Sequence, residues 1–198
     1  NSHQLEDLKS LTIPIMACDE YLEAQPRGRL KFLTMISAIT NTSQKAEKIL
    51  KDFSLKYQNH ETLNISVLKL DNFGDGWYQP GCNTYISEVI RMAGATPVCI
   101  EESNISEKIA YESAVFKLSE NNVFLFMDWG KKKRGWKKRM KHILELDNYP
   151  KKIVYCNTTQ TNYYKESALN SHLIIDDLNA VLKTEKKGRF FEIKTFEK

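Results

Sequence analysis

The sequence predicts an α/β fold, a three-layer lobe with a mostly parallel sheet, preceded by a long helix. Two observations carry this. Short apolar runs alternate along the chain with segments whose apolar residues recur at helical spacing. The runs NVFLFMDWG (122–130) and KKIVYCN (151–157) are apolar at nearly every position, as strands covered on both faces must be. A chain of 198 residues, 41% hydrophobic and 27% charged, has the balance and length for one large domain or two small ones.

LTIPIMA (11–17) is a short apolar run interrupted by Pro14, more like the last strand of something than the first strand of a domain. Pro26 opens a helical segment in which Leu30, Leu33, Ile36 or Ser37, then Ala46, Ile49, Leu50 and Phe53 keep helical spacing. Residues 40–43 are poor helix formers, and Ser43 could cap a second helix. Unbroken over 28–57, the helix would measure roughly 45 Å, longer than a small domain is wide, which suits a rod joining two bodies. Beyond it come LNISVLKL (63–70, strand), TYISEVIRMAGA (84–95, helix closed by Gly94), TPVCI (96–100, strand) and KIAYESAVFKLSEN (108–121, helix). The strand 122–130 follows, then a helix over 136–146, the strand 151–157, the helix SHLIIDDLNAVLK (171–183) and a final strand or extended arm, GRFFEIKTF (188–196).

The composition excludes several classes. No window approaches the roughly 18 uninterrupted apolar residues of a membrane span, and NSHQLEDLKS lacks the layout of a signal peptide. Any leader or anchoring cysteine would precede Asn1. Cys18, Cys82, Cys99 and Cys156 form no CxxC pair, which argues against structural zinc. Cys99 and Cys156, beside strand-like runs, read as small buried hydrophobes. Nucleophilic catalysis is disfavoured because no histidine sits beside a Gly-x-Ser-x-Gly turn, and phosphate chemistry because there is no Gly-x-x-x-x-Gly-Lys loop. The basic excess concentrates in KKKRGWKKRMKH (131–142). Either it is a solvated face, or it sets Arg134 and Trp136 beside Trp77 and Tyr78 as a cationic aromatic rim for an anionic ligand. Nucleic-acid binding is a weaker third reading, since one basic run in a balanced chain is a modest footprint.

GWYQPGCNTY (76–85) reads as the turn from the carboxyl end of the strand at 63–70 into the next helix. Ligands of open α/β sheets bind beyond such ends. Phe73, Trp77 and Tyr78 are more aromatic surface than a turn needs, unless Trp77 and Tyr78 fold back on the core edge. Asn83 or Thr84 is a candidate N-cap that would aim the helix at whatever lies over the turn.

The order of these features resembles the helical-backbone periplasmic binding proteins of ABC importers, which take up iron-siderophores, haem and cobalamin. The resemblance rests on IPIMACDEYLEAQPRGRLKF (13–32), WYQPGCNTYISEVIRMAGA (77–95), AYESAVFKLSENNVFLFMDWG (110–130) and NYYKESALNSHLIIDDLNAVL (162–182). It departs at Cys82, where the pattern has a second glycine, and at Lys31, where it has glutamate. The resemblance implies three parts: 1–24, the last strand of a missing or reduced N-terminal lobe; 25–60, a long connecting helix; and 61–198, the C-terminal α/β lobe. The chain is then expected to be a C-terminal piece or a shortened relative. Function would be capture without catalysis, with no resident cofactor, of a metal chelate or tetrapyrrole by Trp77, Tyr78, Asn83, Tyr85, Trp129, Arg134 and Trp136. Glu112 would meet arginines of the ABC permease. The resemblance places the protein in the periplasm or, by a lipid anchor, at the outer face of the cytoplasmic membrane. The alternative is a degenerate lobe kept for protein or nucleic-acid contacts.

Overall fold

A computed structural model describes residues 20–57, 61–73, 76–120, 123–129, 140–144, 150 and 152–194. A short 3-10 turn, Glu20–Leu22, leads into α1 (Pro26–Ile39) and α2 (Ser43–Lys56). Proline suits the first turn of α1 because its fixed φ is helical and its missing N–H has no intrahelical acceptor there. The segment 25–60, expected as one connecting helix, is instead two helices lying side by side. Local hydrogen bonding explains the break. Thr40 Oγ1 donates to the Ile36 carbonyl at 3.0 Å and sits 2.8 Å from Thr42 Oγ1, while the Thr42 N–H turns back to Ser37 O at 2.8 Å. Asn41 completes the reversal at φ 54°, a left-handed conformation that asparagine tolerates.

The strands are β1 (Ser66–Lys69), β2 (Asp71–Phe73), β3 (Gly76–Pro80), β4 (Thr96–Val98), β5 (Ser106–Ile109), β6 (Val123–Asp128), β7 (Lys152–Asn157) and β8 (Glu192–Lys194). The later helices are α3 (Tyr85–Met92), α4 (Tyr111–Glu120), α5 (Lys141–Leu144), α6 (Tyr163–Leu169) and α7 (Ser171–Thr184). The central sheet runs β4-β1-β6-β7-β8, parallel throughout except for β8, which pairs antiparallel with β7. Side chains alternate between its faces. Val67, Leu125, Val154 and Cys156 pack with Leu30 of α1, Phe53 of α2, Val89 of α3 and Ile174 and Leu178 of α7. Leu68, Phe124 and Ile153 pack with Ala114 and Leu118 of α4 and Ile143 of α5. The three-layer α/β arrangement expected from the sequence is therefore present.

A second, antiparallel sheet runs β2-β3-β5. It corrects the expected turn: 76–80 is a strand, with Trp77 opposite Ile109 and Tyr78 opposite Lys108. It also moves the start of the helix expected at 108 to Tyr111, because 106–109 are drawn into pairing with β3. Beyond β3, Gly81 bridges to Ile100, and the Cys82 N–H donates to Ile100 O at 2.8 Å. That juxtaposition brings Cys82 and Cys99 to a Cα separation of 5.0 Å, and they form a disulfide. Cys99 is thus cross-linked and not a buried free thiol; Cys156 is buried and free. Burial pushes the Cys156 thiol up to about 12, so it stays protonated and unreactive at neutral pH. Gly81 is required where it stands, since a Cβ there would meet the backbone oxygen of Ser103 at 2.2 Å. Among the described residues no helix is long and apolar enough to cross a membrane.

Candidate functional site

The chain leaves β1 toward β4 on one side and returns to β6 on the other, so the strand order reverses at β1 and β6. The crevice beyond their carboxyl ends is where this architecture binds ligands. Aromatic rings collect there. Phe73, on β2, lies 5.5 Å from Tyr78 and 5.7 Å from Trp129, centroid to centroid, both edge to face. Trp129 follows β6 and lies 5.9 Å from Tyr164, whose ring in turn meets Tyr163 at 5.4 Å. Within this row Phe73 is 43% exposed, Trp129 54% and Tyr164 54%, whereas Tyr163 is buried. Three open rings in a row, Trp129 touching both its neighbours, form a surface that can take the flat face of a ligand while their edges hold one another in place.

Beneath the row, buried polar groups fix its supports. Tyr155 donates its hydroxyl to Asp128 Oδ2 at 2.8 Å, and Asn157 Nδ2 reaches the same hydroxyl at 3.3 Å. The Asp128 carbonyl accepts the Thr158 N–H at 2.9 Å, and the Trp129 carbonyl accepts Thr159 Oγ1 at 3.2 Å. These bonds tie the loop after β7 to the end of β6, so Trp129 and Tyr164 are held by one frame. Lys69 and Asp71 form a nearly buried ion pair at the end of β1. Burial, reinforced by the Asp71 charge, pushes the Tyr164 hydroxyl up to about 12, so the row presents a neutral phenol.

The residues named from sequence divide three ways. Tyr78 and Trp129 belong to the row through their contacts with Phe73. Trp77 is only 8% exposed and packs in the core with Leu68, Leu70 and Phe124, because alternation along β3 turns it inward. Tyr85 stands apart, with the Arg29 guanidinium 3.7 Å above its ring and its hydroxyl 3.0 Å from Ser171 Oγ. Burial raises the Tyr85 pKa, partly opposed by the Ser171 hydrogen bond and the Arg29 charge. Arg29 also donates to the carbonyls of Glu23 (2.8 Å) and Tyr21 (3.0 Å), pinning the segment before α1. Asn83 is exposed, its N–H donating to Ser103 O at 2.9 Å. Glu112 is exposed in the first turn of α4. Arg134 and Trp136 lie outside the described residues.

Sequence reasoning had not placed Tyr164 in the site. A signal was available, an aromatic pair in NYYKES shortly after the strand 151–157, at the same sheet edge as Trp129. The sequence marks Phe73 as aromatic surface but not as part of the site, since the pairing of β2 with β3 is visible only in three dimensions.

No family model matches the sequence, and no curated protein matches it. The fold does match solved structures. The periplasmic haem-binding protein HutB of Vibrio cholerae is 19% identical, with 92% of this chain and 72% of that one covered at a TM-score of 0.67. A periplasmic haem-binding protein from Pseudomonas aeruginosa is 13% identical, covers 100% and 73%, and gives a TM-score of 0.68. The periplasmic vitamin B12-binding protein BtuF of Vibrio cholerae is 12% identical, covers 93% and 71%, and gives 0.53. These are binding proteins, not enzymes, and they are of the kind that the sequence resembles. At such identities the likeness is one of fold.

Proposed function

We propose that this chain is the ligand-capturing component of an ABC importer, or its second lobe, and that it takes a large flat ligand carrying iron or cobalt: a ferric siderophore, haem or a corrinoid. The single observation that supports this most directly is the exposed row Phe73, Trp129 and Tyr164, lying at the strand-order reversal of a fold shared with haem- and B12-binding proteins. Capture works by stacking. Ligand rings lie on Trp129 and Tyr164, and Tyr78 flanks them. An N-terminal lobe supplies the opposite wall, so this lobe alone binds weakly. The Cys82–Cys99 disulfide supports a place outside the cytoplasm, where such bonds persist.

Titration of the longest native form of the protein with haem, cobalamin and a set of ferric siderophores, followed by tryptophan fluorescence, tests the proposal. Saturable quenching by one class is expected, and Trp129→Ala should weaken it about 30-fold, the loss of roughly 2 kcal/mol of aromatic contact. Trp77→Phe should leave affinity unchanged. Silence across the panel would reject capture and favour a lobe kept for protein contacts.

Glu112 stands exposed in α4 with Tyr111 and Phe116, also exposed, on the same helix. We assign it to the permease. In a reconstituted importer Glu112→Ala should lower ligand-stimulated ATP hydrolysis several-fold while leaving ligand affinity intact. Full stimulation would remove the assignment, since an isolated surface acid contributes only about 0–1 kcal/mol.

A further inference from the structure

Between the carboxyl end of β7 and the chain leading into β8 lies a groove of about 380 Å³, within the size range of small-molecule sites. Tyr155 and Phe190, both buried, form its floor, and Lys187, Arg189 and Lys194 stand along it. The acid among its described lining residues is Glu192, 2.9 Å from Lys194 Nζ and 3.7 Å from Lys187 Nζ. Arg189 reaches Glu166 through Nη2 alone, at 2.6 Å, which leaves Nε and Nη1 without an acceptor among the described residues. Three cations, Lys187, Arg189 and Lys194, meet two acids, Glu192 and Glu166, while a third carboxylate, Asp177, is taken up by backbone N–H groups.

The wall that carries Arg189 is built, not draped. Asp177 of α7 accepts the N–H groups of Arg189 at 2.6 Å, Phe190 at 2.8 Å and Phe191 at 2.9 Å. The Gly188 N–H closes the turn on Phe191 O at 2.8 Å. A Cβ on Gly188 would meet Asp177 Oδ1 at 2.1 Å, so the carboxylate can come this close only to a glycine. Phe190 lies beneath the Arg189 guanidinium, 4.9 Å from ring centroid to Cζ, and Lys194 Nζ stands 5.7 Å over the Tyr155 ring. With the loop backbone and the rings already ordered, little freedom remains to be lost on binding. Because the rings of the floor are already covered, recognition here is by charge and not by apolar area.

We propose that this groove is a second binding site, for a compact anion whose phosphate or carboxylate oxygens are held by Arg189, Lys187 and Lys194. An anion would displace Glu192 from Lys187, the looser of its two ion pairs, and accept from the unpaired N–H groups of Arg189. The site shares Tyr155 and Asn157 with the frame beneath the aromatic row, but neither reading needs the other.

Amide NMR titrations with inorganic phosphate and with citrate, at constant ionic strength in chloride, test it. Saturable shifts are expected at 188–192 and 160–161 with at least one of the two anions, and the anion that saturates identifies the headgroup. Arg189→Ala should weaken binding about tenfold, the worth of a charge-assisted hydrogen bond. Glu192→Gln should tighten it several-fold by removing the competing acid, a gain that misfolding cannot mimic. Shifts that never saturate with either anion, or that persist unchanged in the Arg189→Ala, Lys194→Ala double variant, would overturn the proposal, as would an unchanged affinity in Glu192→Gln.

Discussion

Replacing Cys82 and Cys99 together by alanine should lower the melting temperature by roughly 6–12 °C, corresponding to about 3 kcal/mol. The bond closes a loop with a sequence separation of 17, and its loss returns that loop's conformational freedom to the unfolded chain. The folded state loses definition as well. Cys82 sits where β3 gives way to α3, and its carbonyl accepts Arg91 Nη2 at 2.8 Å. Calorimetry with and without a reductant provides the check. Reductant should bring the unaltered protein down to the melting temperature of the double variant and leave the variant where it was. Equal melting temperatures for variant and unaltered protein in the absence of reductant would mean that the link contributes nothing.

Phe191→Ala should cost about 3–5 kcal/mol, the range for deleting a fully buried phenylalanine. Phe191 is 1% exposed, its ring centroid lies 6.1 Å from that of Tyr163, and its N–H is one of the three gathered by Asp177. Truncation would open a void beside Tyr163 under the loop that feeds β8, at a place where the backbone is too firmly tied to collapse into it. Urea unfolding measures the loss. Phe73→Ala, which removes a half-exposed ring with two ring contacts, is the control and should cost about 1 kcal/mol. A similar small value for Phe191→Ala would mean that the site relaxes freely.

The central sheet was legible because its inner strands leave little choice. VFLFMD and KIVYCN are apolar on both faces, and only a strand between two helical layers uses such a run. The small sheet was not legible, for reasons visible in its residues. β3 buries Gln79, a polar residue whose Nε2 donates to Val98 O at 3.0 Å, so the alternation that should mark a strand is broken by an amide. β5, SEKI, is exposed along most of its length and carries no apolar signal. Its conformation comes from pairing with β3, a non-local contact that no window of sequence reports.

The site divides along the same line. Trp129 follows a strand that could be read, so its place at the carboxyl edge could be read too. Trp77 was placed by the expected turn, and the strand found there sends its indole inward. Tyr164 depends on a short helix, α6, which has too few residues to show a helical period. Whether 25–60 formed one helix or two turned on the hydroxyls of Thr40 and Thr42, whose bonding partners lie within the same few residues, and the sequence had left both outcomes open.

The outer strands of the central sheet have a consequence for association. β4 is three residues long with Pro97 at its centre, and β8 is three residues long with Glu192 and Lys194 at its ends. Proline withholds the N–H that an added strand would need, and closely spaced charges on a short strand discourage a neighbour from aligning with it. Stacking of lobes into ribbons by strand addition is thereby obstructed at both margins, so the chain can expose aromatic rings at one end without seeding fibres from its flanks.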